Sequence, residues 1–455
     1  MKSYLKTIII LFVLVVTAYA QKPGMGLFLD DKYFENSPKA APLMRGDYDN
    51  LPSAYSLKEF APTPGSQGLH GTCTGWSTSY AGRTILEALR NRWSREEVDK
   101  NSFSPSYVYN QIRTTNDCFG GASIIDALDV LRLQGDVKLN DFGYLCERDV
   151  TADDKTKALE YKIIEYREVA YKTTNNKTER VKKSLSEDKP VVIAMDIPNS
   201  FIDAGEVWLP DSGDYRRWSQ GHGMAIVGYD DNKFGGAFEI MNSWGTDWGN
   251  NGFTWMRYSD FEYFVLFAFE LIDESKPEPT VPDLSGKLSF IESSGYPMES
   301  TFNGKYFETD EPYYSGTLFE LRVSNSEPAY VYAFSYDLSN SVYKIFPFHN
   351  KMVAYLPYRQ NNVAIPDEES YNMLDATTGT TFYCFLYSKE ELKIDEIMDA
   401  VKSSNGNFWQ RLTNSIGHKF VDQNFITYKD GNNIEFSAFS NGKSVVPVIL
   451  EIPHN

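Results

Sequence analysis

Gln67-Gly68-Leu69-His70-Gly71-Thr72-Cys73-Thr74-Gly75-Trp76-Ser77 sets a cysteine where a glycine-punctuated stretch gives way to a helical pattern. From Thr72 to about Arg92, Trp76, Tyr80, Ile85, Leu86 and Leu89 supply the buried contacts of a helix, with Thr72 its expected N-cap. A cysteine at a helix start gains from the first-turn N–H groups and the helix dipole. Both favour thiolate, the nucleophilic form. Alone it is weak grounds, because free cysteine is usually a small buried hydrophobe. Two later stretches add weight: Gly221-His222-Gly223 opens an apolar run, and Asn242-Ser243-Trp244-Gly245-Thr246-Asp247-Trp248-Gly249 follows it. A general acid working near neutral pH calls for imidazole. Before residue 274 the chain offers only His70 and His222.

Together these blocks resemble the papain-like cysteine peptidases, bacterial branch, over roughly residues 51–272 and in that family's order of Gln, Cys, His and Asn. The tract Asn242 to Gly252 is the strongest match; the step from Gln67 to Cys73 equals the family's, and Cys118-Phe119-Gly120-Gly121 is similar to its Cys-x-Gly-Gly loop. The resemblance implies an α+β fold of two lobes, one helical and one β-rich, with a cleft between them. Cys73 would be the nucleophile and His222 the acid/base, with Asn242 holding the imidazole tautomer and Trp244 shielding that bond from water. Gln67 and the Cys73 backbone N–H would stabilise an oxyanion. Gly120 and Gly121, having no side chains, would let an extended peptide pair with their backbone; Trp248 either forms part of the primed side or packs the loop. The chain departs from the family at Thr74, where tryptophan is usual, a change that bears on subsite shape more than on the nucleophile. It departs again at His70, which replaces the usual disulfide partner of the loop and is read as structural or as part of the rim. Cys118 then needs another mate, and Cys146 is the nearest candidate; Cys73 stays free, and Cys384, inside an apolar strand, is expected to be buried and reduced.

Lys2 and Lys6, the apolar stretch Ile8 to Val16 and Ala18-Tyr19-Ala20 ahead of Gln21 read as a secretory signal over residues 1–20. The expected location is therefore periplasmic or extracellular. That stretch is shorter than the roughly 20 apolar residues of a membrane helix, and no later segment supplies one. The formal charge of −18 becomes two units more negative without residues 1–20, which makes nucleic acid or an anionic membrane an improbable partner. A chain of 455 residues exceeds what one core usually serves.

The break falls at Glu274-Ser275-Lys276-Pro277-Glu278-Pro279-Thr280-Val281-Pro282, a spacer placed at residues 274–285. Residues 21–50, rich in Gly, Pro and charge, are expected to strap an existing surface, being too few for a helical inhibitory propeptide. Within the peptidase-like region 51–273, further helices are expected from Ser104-Pro105 and over about 123–133, ended by Gly135; strands are expected at 190–195, 224–227 and 238–241. Residues 286–455 read as a separate β-rich domain, with strands around 319–323, 329–334, 381–387 and 445–452 and a helical interval from about 394 to 416. This part resembles a bacterial β-rich module of unknown function; a protein or glycan is the class of partner expected for it.

The leading expectation is an exported cysteine endopeptidase acting on peptide or protein substrates through a thioester. The competing ones are a papain-fold binding protein without turnover and a thiol acyltransferase. No metal is expected, because His349, His418 and His454 are far apart and lack Cys/His spacing, and no cofactor, because phosphate-cradling glycine loops are missing.

Overall fold

The computed structural model describes residues 23–216, 220–273, 281–375 and 378–455, so the expected signal segment and most of the spacer lie outside the described residues. The helical lobe is built on a continuous run of turns, Cys73–Gly75, Trp76–Arg83 and Thr84–Asn91. Its middle part is a π-helix, which the sequence pattern did not reveal. The hydroxyls of Ser77 and Thr78 both donate to the carbonyl of Thr74, at 3.1 and 2.8 Å, and such back-bonding competes with the regular helical ladder. Thr72 does not cap this helix: its side chain makes no cap bond, and its hydroxyl lies 2.8 Å from that of Tyr144.

Ser104 does cap its helix, accepting from the Tyr107 N–H, with Pro105 in the first turn. The helix Ile124–Leu133 buries Ile124, Ala127, Leu128 and Leu131, and Gly135 follows it at φ +87°, a conformation that favours glycine. The β lobe is a mainly antiparallel sheet ordered Glu165–Tyr171, Val265–Ile272, Val191–Asp196, Gly221–Asp230, Ala237–Met241, Phe253–Arg257 and Val207–Trp208, with Ala54–Ser56 also on Gly221–Asp230. The expected two-lobed α+β arrangement is therefore present, its apolar core running across both lobes.

Beyond the spacer, two sheets face each other. One is ordered Ser300–Phe302, Phe307–Thr309, Val445–His454, Gly379–Ser388, Ala329–Asp337 and Val342–Phe346, with Tyr355–Leu356 beside Ala329–Asp337. The other runs Asn361–Ile365, Leu318–Asn325, Leu284–Glu292, Ile434–Ala438 and Ile426–Lys429, with Asn372–Met373 against Leu318–Asn325. Period-two alternation explains why the central strands are apolar on both sides. Val331, Ala333, Phe385 and Tyr387 point into the core between the sheets, while Tyr332, Phe334, Cys384 and Leu386 meet Val401 and Leu412 of the two helices Ile394–Ser403 and Phe408–Ile416. The helical interval is thus two helices broken at residues 404–407.

This β-rich part is not loosely tethered. Ile272, the last residue of a strand in the β lobe, shares a core with Tyr330 and Tyr332. Nearby, the buried pair Arg167–Glu270 is completed by Tyr358, whose hydroxyl hydrogen-bonds the Glu270 carboxylate at 2.5 Å and lies 3.1 Å from that of Ser184.

Candidate active site

Three elements build the candidate site. The helix start supplies Cys73 itself, the loop before it supplies Gln67, and the strand Gly221–Asp230 supplies His222. Asn242, at the end of Ala237–Met241, completes the set: its Oδ1 lies 2.8 Å from His222 Nε2 and accepts the Ser243 N–H at 2.7 Å. Because Ser243 fixes that oxygen as an acceptor, His222 must carry its proton on Nε2. The lone pair of the neutral ring then sits on Nδ1, which is buried and has no hydrogen-bond partner among the described residues. Trp244 stacks on the imidazole with ring centroids 4.8 Å apart, and Trp248 meets Trp244 edge-on while its own N–H donates to the Ile202 carbonyl. In this state Trp248 packs the loop.

Gln67 is held on every side. Its Oε1 accepts from Ser243 Oγ at 2.6 Å, its N–H donates to the Ser243 carbonyl, and its Nε2 donates to the carbonyls of His70 and Gly24, at 2.6 and 2.9 Å. His70 bonds the Tyr144 hydroxyl at 3.1 Å and lies beside the disulfide joining Cys118 and Cys146. His70, Cys118 and Cys146 bring donor atoms together, but the two sulfurs are bonded to each other and do not constitute a metal site. Cys384 is buried and free.

Of the segment 21–50, expected to strap an existing surface, residues 24–28 run between the two lobes, while Pro38 to Asp47 lie along the β lobe and the C-terminal part. Gly24 N–H donates to the Gly68 carbonyl, Leu27 N–H to Gly221, and Phe28 N–H to Ala122, whose own N–H returns to Gly26 at 2.7 Å. The Gly26 and Gly223 N–H groups act on the Cys73 thiol, working against the effect of burial. The pairing partner is thus Ala122, next to the expected Gly120 and Gly121. Gly120 is engaged elsewhere, its carbonyl accepting from Tyr109 and its N–H donating to Asp117. Gly121 serves by smallness: a Cβ there would stand 2.7 Å from the Gly26 carbonyl oxygen.

Consequently Cys73 and His222 have no exposed surface and Gln67 only 1%. Burial pushes the Cys73 thiol up, against the backbone N–H bonds of Gly223 and Gly26, and it pushes His222 down to about 4, against the Asn242 bond. With the segment seated, both groups are neutral at neutral pH. Sequence reasoning missed Ser243, quoted only as part of a tract, and the pair Gly24 and Gly26. Their signal was a Gly-x-Gly ahead of Leu27-Phe28-Leu29, residue types that fit a chain squeezed between two walls.

Residues 66–263 match the family model described as papain family cysteine protease. An uncharacterized peptidase C1-like protein of Acanthamoeba polyphaga mimivirus is 26% identical over 254 residues, spanning 50% of this chain and 78% of that protein. Among solved structures, xylellain, a cysteine protease from Xylella fastidiosa, is 22% identical with a TM-score of 0.46, over 56% of this chain and 97% of that one. Digestive procathepsin L 3 of Tenebrio molitor larval midgut is 14% identical with a TM-score of 0.44, over 55% and 76%.

Proposed function

We propose, on the premise that residues 66–263 are a papain family cysteine protease domain, that the chain is an exported endopeptidase that hydrolyses peptide bonds through a thioester on Cys73. The observation that carries this reading is the buried grouping of Cys73 at a helix start, Gln67 fixed by Ser243 and an imidazole oriented by Asn242, beside backbone that pairs with an extended segment. Once the cleft is open to water, the helix start and the imidazole favour a thiolate–imidazolium pair. The thiolate attacks the substrate carbonyl, whose oxygen takes its negative charge toward Gln67 Nε2 and the Cys73 N–H. His222 gives its Nδ1 proton to the leaving amine as the C–N bond breaks. Water then attacks the thioester, with His222 taking the proton, and the thiol is released with the acid product. No described helix is long and apolar enough to cross a membrane, and the signal-like start of the sequence supports export.

The test compares the full chain with one shortened to begin at Asp30, using a diverse peptide library. The shortened protein should release new amino termini, and its Cys73→Ala variant should release none. Transfer of the acyl group to an added amine, with no free acid formed, would make it an acyltransferase. Tight peptide binding with no product would make it a binding protein.

A further inference from the structure

At one end of the C-terminal sandwich, large apolar side chains stand in water. The strand Leu318–Asn325 turns Phe319 into the core between the sheets, so its neighbour Leu318 points out. Met373 pairs with Leu318 in register and points out likewise, since Leu374 beside it is buried in that core. Backbone hydrogen bonds bring two turns next to this pair. The Ser293 N–H donates to the Leu318 carbonyl and the Glu292 N–H to that of Tyr296, at 2.9 and 2.8 Å; the Thr317 N–H donates to Tyr314 and the Leu374 N–H to Thr317, at 3.0 and 2.9 Å. Tyr314 is 81% exposed, Tyr296 71% and Met373 58%, and Leu318 and Tyr371 are exposed as well. Apolar side chains scattered singly over a surface are ordinary, but a group gathered on adjoining loops marks an interaction site.

The charge around this group is of one sign. Stretches 291–302, 307–319 and 366–375 contain acidic residues and neither lysine nor arginine. Burial raises the Tyr313 phenol to about 12, and Glu292, Glu311, Glu299 and Asp310 push it the same way, so these four carboxylates lie about the turn that carries Tyr314. None of the four forms an ion pair among the described residues. Like charges held together repel, and a cation bound among them relieves that repulsion. An ammonium or guanidinium group gains again from the face of an exposed tyrosine ring. We infer that this end of the C-terminal domain is a docking surface for a lysine- or arginine-rich polypeptide segment, whose apolar residues cover Tyr296, Tyr314 and Met373. A second copy of the chain would set acid against acid, and nucleic acid or an anionic glycan would be repelled. A neutral glycan could stack on the rings but would leave the carboxylates uncompensated. The inference concerns binding alone and does not depend on the peptidase reading above.

The test uses the full chain carrying Cys73→Ala, so that no probe is cleaved, and follows the anisotropy of a labelled peptide of lysine-leucine-glycine repeats. A peptide with glutamate in place of lysine and a soluble neutral β-glucan complete the set of probes. The parent should bind the lysine peptide most tightly, and added salt should weaken that binding. Tyr296→Ser together with Tyr314→Ser, exposed changes that leave the net charge untouched, should weaken it about tenfold. Leu338→Ser together with Tyr343→Ser, also exposed but on the hairpin at the edge of the other sheet, should leave it largely unchanged. Glu299→Gln together with Glu311→Gln should weaken binding and flatten its dependence on salt. Equal affinity of the parent and the folded tyrosine variant would overturn the docking surface, leaving only a general attraction of cations to an acidic protein. Tighter binding of the β-glucan or of the glutamate peptide would overturn the cationic partner.

Discussion

Replacing Gly26 by alanine is the sharpest perturbation of the closed cleft. A Cβ at this position would stand 2.1 Å from the Gly71 carbonyl oxygen and 2.5 Å from two other Gly71 backbone atoms, none of which can swing aside. The backbone of Gly26 is not in the left-handed region, so alanine is tolerated conformationally and the clash alone drives the outcome. The segment must lift by about 1 Å, enough to break the bonds of Gly26 and Phe28 with Ala122 and of Leu27 with Gly221. Three such bonds at about 1 kcal/mol each, less the 0.4–1 kcal/mol by which alanine restricts the released chain, leave about 2 kcal/mol against closure. The open fraction should rise about 30-fold. Peptide mapping of iodoacetamide-treated full chain reads this out as the rate of Cys73 modification. Gly213→Ala, where an added Cβ meets nothing within 4 Å, serves as the control. Labelling of Gly26→Ala at the control rate would refute the argument that backbone proximity, and not a side chain, keeps Cys73 covered.

Three further outcomes follow from the same geometry. Gln67→Ala in protein freed of the cleft segment should lower the acylation rate on the order of 10²-fold with little change in substrate binding; an unchanged rate would remove Gln67 from the oxyanion site. In Cys73→Ala, where opening forms no thiolate–imidazolium pair, burial holds His222 at about 4 in the closed state against about 6.5 when solvated, so the open state binds more protons between those values. Closure should be independent of pH above about 6.5 and weaken by up to roughly 3 kcal/mol as pH falls toward 4. Hydrogen exchange at Leu27 and Phe28, corrected for intrinsic rates, would show this, and flat protection across that window would contradict it. Tyr358→Phe, which deprives the buried Glu270 of a hydrogen bond, should cost about 1–3 kcal/mol in denaturant unfolding while both domains still melt in one transition; separate transitions would show that the interface does not couple them.

What the sequence disclosed and what it withheld divide along a physical line. The helix start at Cys73, the strand entry at His222 and the turn after Asn242 were legible because each is a local pattern, and the strands at 329–334 and 381–387 because alternation is a local property. The π-turns of the central helix were not, since they depend on two hydroxyls choosing the Thr74 carbonyl. Nor was the course of residues 23–29. Those residues have little local preference, and their path is decided by how closely Gly24 and Gly26 approach His70 and Gly71, walls built from elsewhere in the chain. The pairing with Ala122 in place of its glycine neighbours, and the bridging of Lys39 to both Glu168 and Met352, are likewise tertiary outcomes without a sequence period.

The covered cleft also bears on how long the protein keeps. Oxidants attack cysteine as an exposed thiolate, and in the closed molecule Cys73 is neither exposed nor ionised. The conditions that maintain the Cys118–Cys146 bond would convert an open, reactive thiol to sulfenic and higher acids before any substrate arrived. A segment seated over that thiol works as a preservative: peroxide should spare Cys73 in the closed protein and consume it soon after opening, giving each released molecule a limited working life.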